Sequence, residues 1–337
     1  HHDARLFARP AVNAAALRVL LRGHADTARL AAAALLLLAC LLRPTLPMQR
    51  ALFEHVVMID VTQSMSVGDM VLDGQPVSRI AYARQALRAS LLALPCGSRV
   101  GLGLFTEYRS FLLLAPVEVC ANLQELRSTL DRIDGRMAWS GNSEVAKGVI
   151  SGIAVARQLA GSPSLVFVTD GHEAPPLNPR HRPRFDGKPG EVPGLVVGVG
   201  GLLPMPIPKT DPSGRPLGFW AADEVMQTDP QSRGRGGSVG GEAMVEDGSA
   251  AVPEALRAGR AGSEHLSSLR EGYLKLLAGE LGLSYLRLDS AQGLSRALTD
   301  AAFARPVPAR ADLRAALGLL ALVLLVWPYR PRIVRRG

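Results

Sequence analysis

From residue 53 onward, short apolar runs alternate with stretches whose apolar residues recur every three or four positions. That is the pattern of a parallel sheet covered by helices on both faces. Phe53 to Ile59 (FEHVVMI) reads as a buried strand. Over 77–94, Ile80, Ala83, Leu87, Leu91 and Leu94 form one helical face, with Arg79, Arg84 and Arg88 expected to turn outward. Residues 99–106 (RVGLGLFT) and 110–117 (SFLLLAPV) predict two strands around a turn at 107–109. Leu123, Leu126, Leu130 and Ile133 mark a second helix, and Val145, Val149, Ile153 and Ala156 a third. Strands at 164–169, 194–199 and 284–288 and helices at 266–281 and 290–303 complete the series. The expectation is a doubly wound, mainly parallel α/β domain over 53–303 with one antiparallel edge strand. Its periodicity fails over about 202–264. There Pro204 to Pro208, Asp211-Pro-Ser-Gly214 and Leu217-Gly-Phe-Trp220 suggest an irregular hairpin on the sheet's edge, and 231–241 a flexible loop.

Two further apolar runs lie outside this body, Leu30 to Leu42 and Ala315 to Trp327. Each adjoins a basic tail, residues 1–29 or 330–337. Arg clusters outside both runs, with Trp327 and Tyr329 at an interface position, predict transmembrane helices over 30–43 and 313–329. Both tails would then be cytoplasmic, Cys40 embedded, and the body periplasmic. The runs are shorter than a full span, so buried core helices are the alternative. For the first run a cleaved signal peptide is another, although no A-x-A site follows.

The formal charge of +8 sits almost wholly in the two tails, leaving a nearly neutral body without the basic stripe of a nucleic-acid binder. Of the 38 basic residues only four are Lys, a coding bias that further weakens any reading of the high pI as a nucleic-acid surface. Cys96 and Cys120 fall just beyond the same end of the expected hairpin, where either a disulfide or two free thiols could stand.

Candidate chemistry gathers where strands end. Asp60-Val-Thr62-Gln-Ser64 follows the first buried strand, and so opens at the carboxyl edge where open α/β sheets bind ligands. A carboxylate and two hydroxyls on alternate residues supply hard oxygen donors suited to Mg²⁺. Asp170 in Thr169-Asp-Gly171 adds a second carboxylate at that rim, and Ser143 in Ser140-Gly-Asn-Ser-Glu144 a further hydroxyl before the helix at 145.

This ordered set resembles a von Willebrand factor A domain with a metal-ion-dependent adhesion site. The family's D-x-S-x-S, second-loop Thr and third-loop Asp fall on Asp60, Thr62, Ser64, Ser143 and Asp170. Thr62 and Ser143 depart from the pattern but keep a hydroxyl. The resemblance implies a doubly wound domain binding Mg²⁺, or another divalent cation such as Ca²⁺ or Mn²⁺. It also implies a protein partner that offers the metal an acidic side chain, with no catalysis. The flanking anchors, Gly198-Val-Gly200 and the hairpin after it, and Leu276-Leu-Ala with Gly282-Leu-Ser-Tyr285, are similar to MoxR-associated membrane proteins of the Bat and MxaC/MxaL types. That likeness implies the bacterial inner membrane, a MoxR-type AAA ATPase and sister VWA proteins as partners. Thr169 to Pro176 inclines the likeness toward the methanol-dehydrogenase clusters, hence maturation and metal loading of a periplasmic quinoprotein.

Competing readings are fewer. Asp60 could be the nucleophile of a Mg²⁺-dependent phosphohydrolase of the haloacid-dehalogenase type, but that chemistry wants a second Asp where Thr62 stands. Thr62 and Ser64 could merely cap a turn. His172 has no second His four residues on and is expected as a rim residue. Arg132, Arg136, Arg180, Arg182 and Arg184 read as solvated charges, with 180–184 able to steer an acidic partner.

Overall fold

The computed structural model describes residues 14–177, 181–225, 242–246 and 263–327. The chain divides into two units, residues 51–306 and residues 1–50 with 307–337. In chain order the elements are α1 (Ala14–Leu41), β1 (Thr45–Leu52), β2 (Glu54–Asp60), β3 (Met70–Leu72), β4 (Gln75–Val77), α2 (Arg79–Ala93), β5 (Arg99–Thr106), β6 (Arg109–Glu118) and α3 (Leu123–Arg132). There follow α4 (Val145–Gln158), β7 (Ser164–Thr169), β8 (His181–Phe185), β9 (Gly194–Gly198), β10 (Met205–Pro206), β11 (Pro208–Thr210), β12 (Pro216–Phe219) and β13 (Glu242–Glu246). Last come β14 (Leu266–Ser267), α5 (Glu271–Leu281), β15 (Ser284–Arg287), α6 (Ala291–Leu298), β16 (Arg305–Asp312) and α7 (Arg314–Val326).

The unit 51–306 is built on a six-stranded sheet of order β15-β9-β7-β2-β5-β6. Every pair is parallel except β5 with β6, which makes β6 the expected antiparallel edge. All seven residues of β2 are buried, as a central strand covered on both faces requires. Its side chains alternate between two cores. Val57 and Ile59 join Leu87, Leu91, Leu126 and Leu294 on one face, while Val56 and Met58 join Ile150, Phe167 and Leu277 on the other. The chain leaves β2 toward β5 and β6, then returns to β7 and builds outward through β9 and β15. The order therefore reverses between β2 and β7, and the crevice at their carboxyl ends is where such sheets take ligands. Below the β5–β6 hairpin, Cys96 and Cys120 form a disulfide, and the Glu118 carboxylate accepts hydrogen bonds from the Gly97 and Ala121 amides, each 2.6 Å.

Several expectations need correction in this unit. Arg79 does not face solvent: it is 0% exposed, on the same stripe as Ala83 and Leu87. The helix expected at 266–281 begins only at Glu271, because Leu266 and Ser267 pair with Pro206 and Met205. The closing helix stops at Leu298, followed by a short 3-10 turn over Ala301–Phe303. The hairpin β11–β12 forms, but as a separate two-stranded ribbon and not on the edge of the main sheet. Arg182 is not a solvated loop charge: it lies in β8, paired with β13, and its guanidinium donates to both Glu280 oxygens at 2.7 and 2.9 Å. Arg180 and the expected loop at 231–241 lie outside the described residues.

In the other unit, α1 packs along α7, and β1 pairs with β16. Ala33 and Ala321 are 1% and 0% exposed, small residues that let the two helices approach closely. The transmembrane helices expected over 30–43 and 313–329 are corrected here: both runs are helical, yet among the described residues no helix is long and apolar enough to cross a membrane. The physical reason is length. The 13 residues of α7 rise only about 20 Å against a hydrocarbon core of about 30 Å, and α1 carries Arg18, Arg22, Asp26 and Arg29.

Candidate functional site

The last residue of β2, Asp60, opens a loop that turns at once into a 3-10 segment, Gln63–Ser66. The tight turn brings alternate side chains back onto the carboxylate. Thr62 donates to Asp60 Oδ1 from its amide (2.9 Å) and from its hydroxyl (2.6 Å), and Thr62 Oγ1 stands 3.4 Å from Ser64 Oγ. From the end of β7, Thr169 donates its hydroxyl to Asp60 Oδ2 at 2.6 Å, while its Oγ1 accepts the Gly171 amide at 3.0 Å. Asp170 Oδ1 accepts the His172 amide at 2.9 Å.

Ser143 arrives from a third loop. That loop is stitched down on both sides: Ser143 exchanges two backbone hydrogen bonds with Ala174 (2.7 and 2.9 Å), and the Glu144 amide donates to Glu107 O at 2.6 Å. With its backbone so fixed, Ser143 is 2% exposed and its Oγ has no hydrogen-bond partner among the described residues. It shares one cleft of about 270 Å³ with Thr62, Ser64 and His172, whose opposite wall includes Ile207 and Trp220. The wall comes from the 202–264 insertion. Lys209 lies 4.6 Å over the Trp220 ring and its ammonium meets Glu224 at 2.5 Å.

The structure thus draws the five predicted residues together: Asp60, Thr62, Ser64 and Asp170 in one hydrogen-bonded cluster, and Ser143 lining the same cleft as the hydroxyls of Thr62 and Ser64. Sequence reasoning missed Thr169, Asp69 and Arg79. Thr169 carried a signal, a hydroxyl ending a strand at the same rim. So did Arg79, a cation in the first turn of a helix, where the macrodipole disfavours it, four residues before a core alanine. His172 lines the same cleft and is buried, 5% exposed.

Burial and the neighbouring Asp170 push the Asp60 carboxyl up to about 7. Burial would push Asp170 up as well, but the Arg79 guanidinium, with smaller help from His172, holds it below its ordinary value. Burial pulls His172 down to about 4, so its ring is neutral at pH 7. A hard divalent cation fits this set. A buried hydroxyl without a partner costs free energy unless something satisfies it, and three hydroxyls around one cleft, backed by Asp60, offer oxygen donors with little charge of their own. Such a cation, held by Asp60, Thr62, Ser64 and Ser143, would supply Lewis acidity toward an incoming carboxylate.

An open, mainly parallel sheet with polar loops converging at its switch point defines an α/β domain of the doubly wound class. More narrowly, residues 55–172 match the family model of the von Willebrand factor type A domain. No curated protein matches the chain. Among solved structures it is similar to an aerotolerance-related membrane protein from Bacteroides fragilis, with 15% identity, 73% of this chain and 96% of that one covered, and a TM-score of 0.45. A membrane-spanning protein from Vibrio fischeri shares 16% identity over 72% of this chain and 95% of that one, with a TM-score of 0.27. The minor pilin PilB from Streptococcus sanguinis shares 15% over 76% and 62%, with a TM-score of 0.39. At these values the likenesses assign no function.

Proposed function

We propose that this chain is a metal-dependent docking module, in which a divalent cation, Mg²⁺ in the first instance, held by Asp60, Thr62, Ser64 and Ser143 captures an acidic side chain of a protein partner. The observation that carries the reading is the buried Ser143 Oγ, without a hydrogen-bond partner among the described residues, on the same cleft as the Thr62 and Ser64 hydroxyls. Hydroxyls bring no charge, so the ion keeps an appetite for an anionic ligand. Von Willebrand factor A domains are usually interaction modules and not enzymes.

The outward Leu and Val side chains of α1 and α7 support attachment to a membrane surface, lying on it without spanning it. The Cys96–Cys120 disulfide supports an oxidising compartment such as the periplasm. The finer reading, an assembly factor for a periplasmic methanol dehydrogenase working with a MoxR-type ATPase, rests on the sequence resemblance alone. Two measurements test the proposal. Mn²⁺ titration followed by electron paramagnetic resonance is expected to show one site in the wild type and none in Asp60→Ala. Crosslinking in native membranes is then expected to give an adduct that both EDTA and Asp60→Ala abolish. An adduct indifferent to both sinks the docking reading.

A further inference from the structure

The proposed metal site already holds a cation of its own. Arg79 is 0% exposed and is held from every side. Its Nη1 donates to Asp170 Oδ2 at 2.5 Å and to Ser267 Oγ at 2.7 Å, and its Nε and Nη2 grip Asp69 at 2.6 to 3.1 Å. Nη2 also reaches Ser267 O at 3.1 Å, and Nη1 lies 3.4 Å from Ser64 O. One guanidinium therefore ties the loop after β2 to the loop after β7 and to β14.

The chain is shaped around this group. Gly200 has a φ of +131°, and a Cβ there would stand 2.6 Å from Arg79 Nε, so only glycine leaves room. The next amide, Gly201, donates to Asp69 Oδ2 at 2.8 Å and fixes the second carboxylate. Asp170 in turn has both oxygens committed. Oδ2 accepts from Arg79 and from the Ser267 hydroxyl at 3.1 Å, and Oδ1 accepts the His172 amide. Asp60 differs: its hydrogen-bond partners are the uncharged Thr62 and Thr169.

We infer that Arg79 is a positioning residue that holds Asp170 away from direct contact with the metal, leaving Asp60 as the carboxylate that answers the ion's charge. This rests on the metal reading above and deepens it. A divalent ion backed by one carboxylate that pairs with no cation, and by three neutral hydroxyls, stays short of negative charge, and a partner's carboxylate completes it. Had Asp170 been free to swing onto the ion, the same site would bind metal more tightly and an acidic partner more weakly. The assignment also alters the predicted ligand set: Asp170 belongs to the guanidinium.

The test is Mn²⁺ titration of the full chain, with acetate as the probe for the partner's carboxylate, read by water-proton relaxation of the bound ion. Asp60→Asn is expected to weaken Mn²⁺ by about thirtyfold or more, and Asp170→Asn by no more than about fivefold, since removing a direct ligand costs more than removing a charge behind one. Arg79→Gln is expected to tighten Mn²⁺ about tenfold and to weaken acetate on the loaded protein at least about fivefold. Circular dichroism checks each variant. If Arg79→Gln does not fold, Asp170→Asn decides, because Arg79 there keeps its Asp69 partner. A loss in Asp170→Asn as large as in Asp60→Asn overturns the inference, as does a folded Arg79→Gln that binds Mn²⁺ and acetate like the wild type. Absence of Mn²⁺ binding in the wild type overturns the metal reading itself, and the role of Arg79 with it.

Discussion

Ser143 and His55 are both buried with a polar atom unmatched, and they make opposite predictions. Truncating Ser143 removes a hydroxyl that bonds to none of the described residues, so Ser143→Ala is expected to shift the thermal midpoint by no more than about 2 °C while weakening Mn²⁺ binding about tenfold. A serine that merely capped a turn would show the reverse, lost stability and unchanged metal. His55, 0% exposed, donates from Nε2 to Leu298 O at 2.9 Å, and burial lowers its pKa from 6.5 to about 4. The fold thus keeps this ring neutral where the unfolded chain takes a proton. The unfolded state then binds more protons below pH 6.5, and stability falls as pH drops from there toward 4. The full loss from this residue is on the order of 3 kcal/mol. Urea unfolding midpoints of wild type and His55→Gln across that window are expected to converge toward pH 4, with the wild type falling more steeply. At this scale the sequence was a fair guide to hydroxyls and carboxylates and a poor one to Arg79. A charge on a helix is assigned to solvent by default, and only the two facing carboxylates, Asp69 and Asp170, make its burial affordable.

Among the elements, the β5–β6 hairpin is the one with a covalent clasp. The disulfide closes 24 residues and restrains the unfolded chain, so the double variant Cys96→Ser, Cys120→Ser is expected to lose about 3 kcal/mol in urea unfolding. Reduction of the wild type should reproduce that loss, and an unchanged midpoint would show the clasp to be idle. The six sheet strands could be read in advance because strands buried on both faces are near-continuous apolar runs with turn residues between them. The ribbons β3–β4, β8–β13 and β10–β14 could not. They are two to five residues long, several contain proline, and Met205 pairs with Ser267 from far along the chain. No local periodicity records a partner that distant. The start of α5 moved for the same reason, since Leu266 and Ser267 look helical until Pro206 and Met205 claim them.

For the whole molecule the division into two units has a direct consequence. Residues 51–306 contain both cores of the sheet and are expected to fold alone, whereas α1 and α7 present Leu35, Leu41 and Leu319 at 66%, 76% and 65% exposure. Exposed apolar surface of that kind marks an interaction face. The full chain is expected to float with anionic phospholipid vesicles and the 51–306 unit to stay behind; a full chain that also stays behind rules out membrane attachment through these helices. The sequence by itself determined the doubly wound sheet, its antiparallel edge and the three loops that bring Asp60, Thr62, Ser64, Ser143 and Asp170 to one rim. Those follow from short-range pattern and from the direction of parallel strands. Only the tertiary structure decided that Asp170 is claimed by a buried arginine, that Trp220 and Ile207 wall the cleft, and that among the described residues no helix is long and apolar enough to cross a membrane. Each depends on packing between residues far apart in the chain or on the length an element reaches, and neither is written in the spacing of apolar residues.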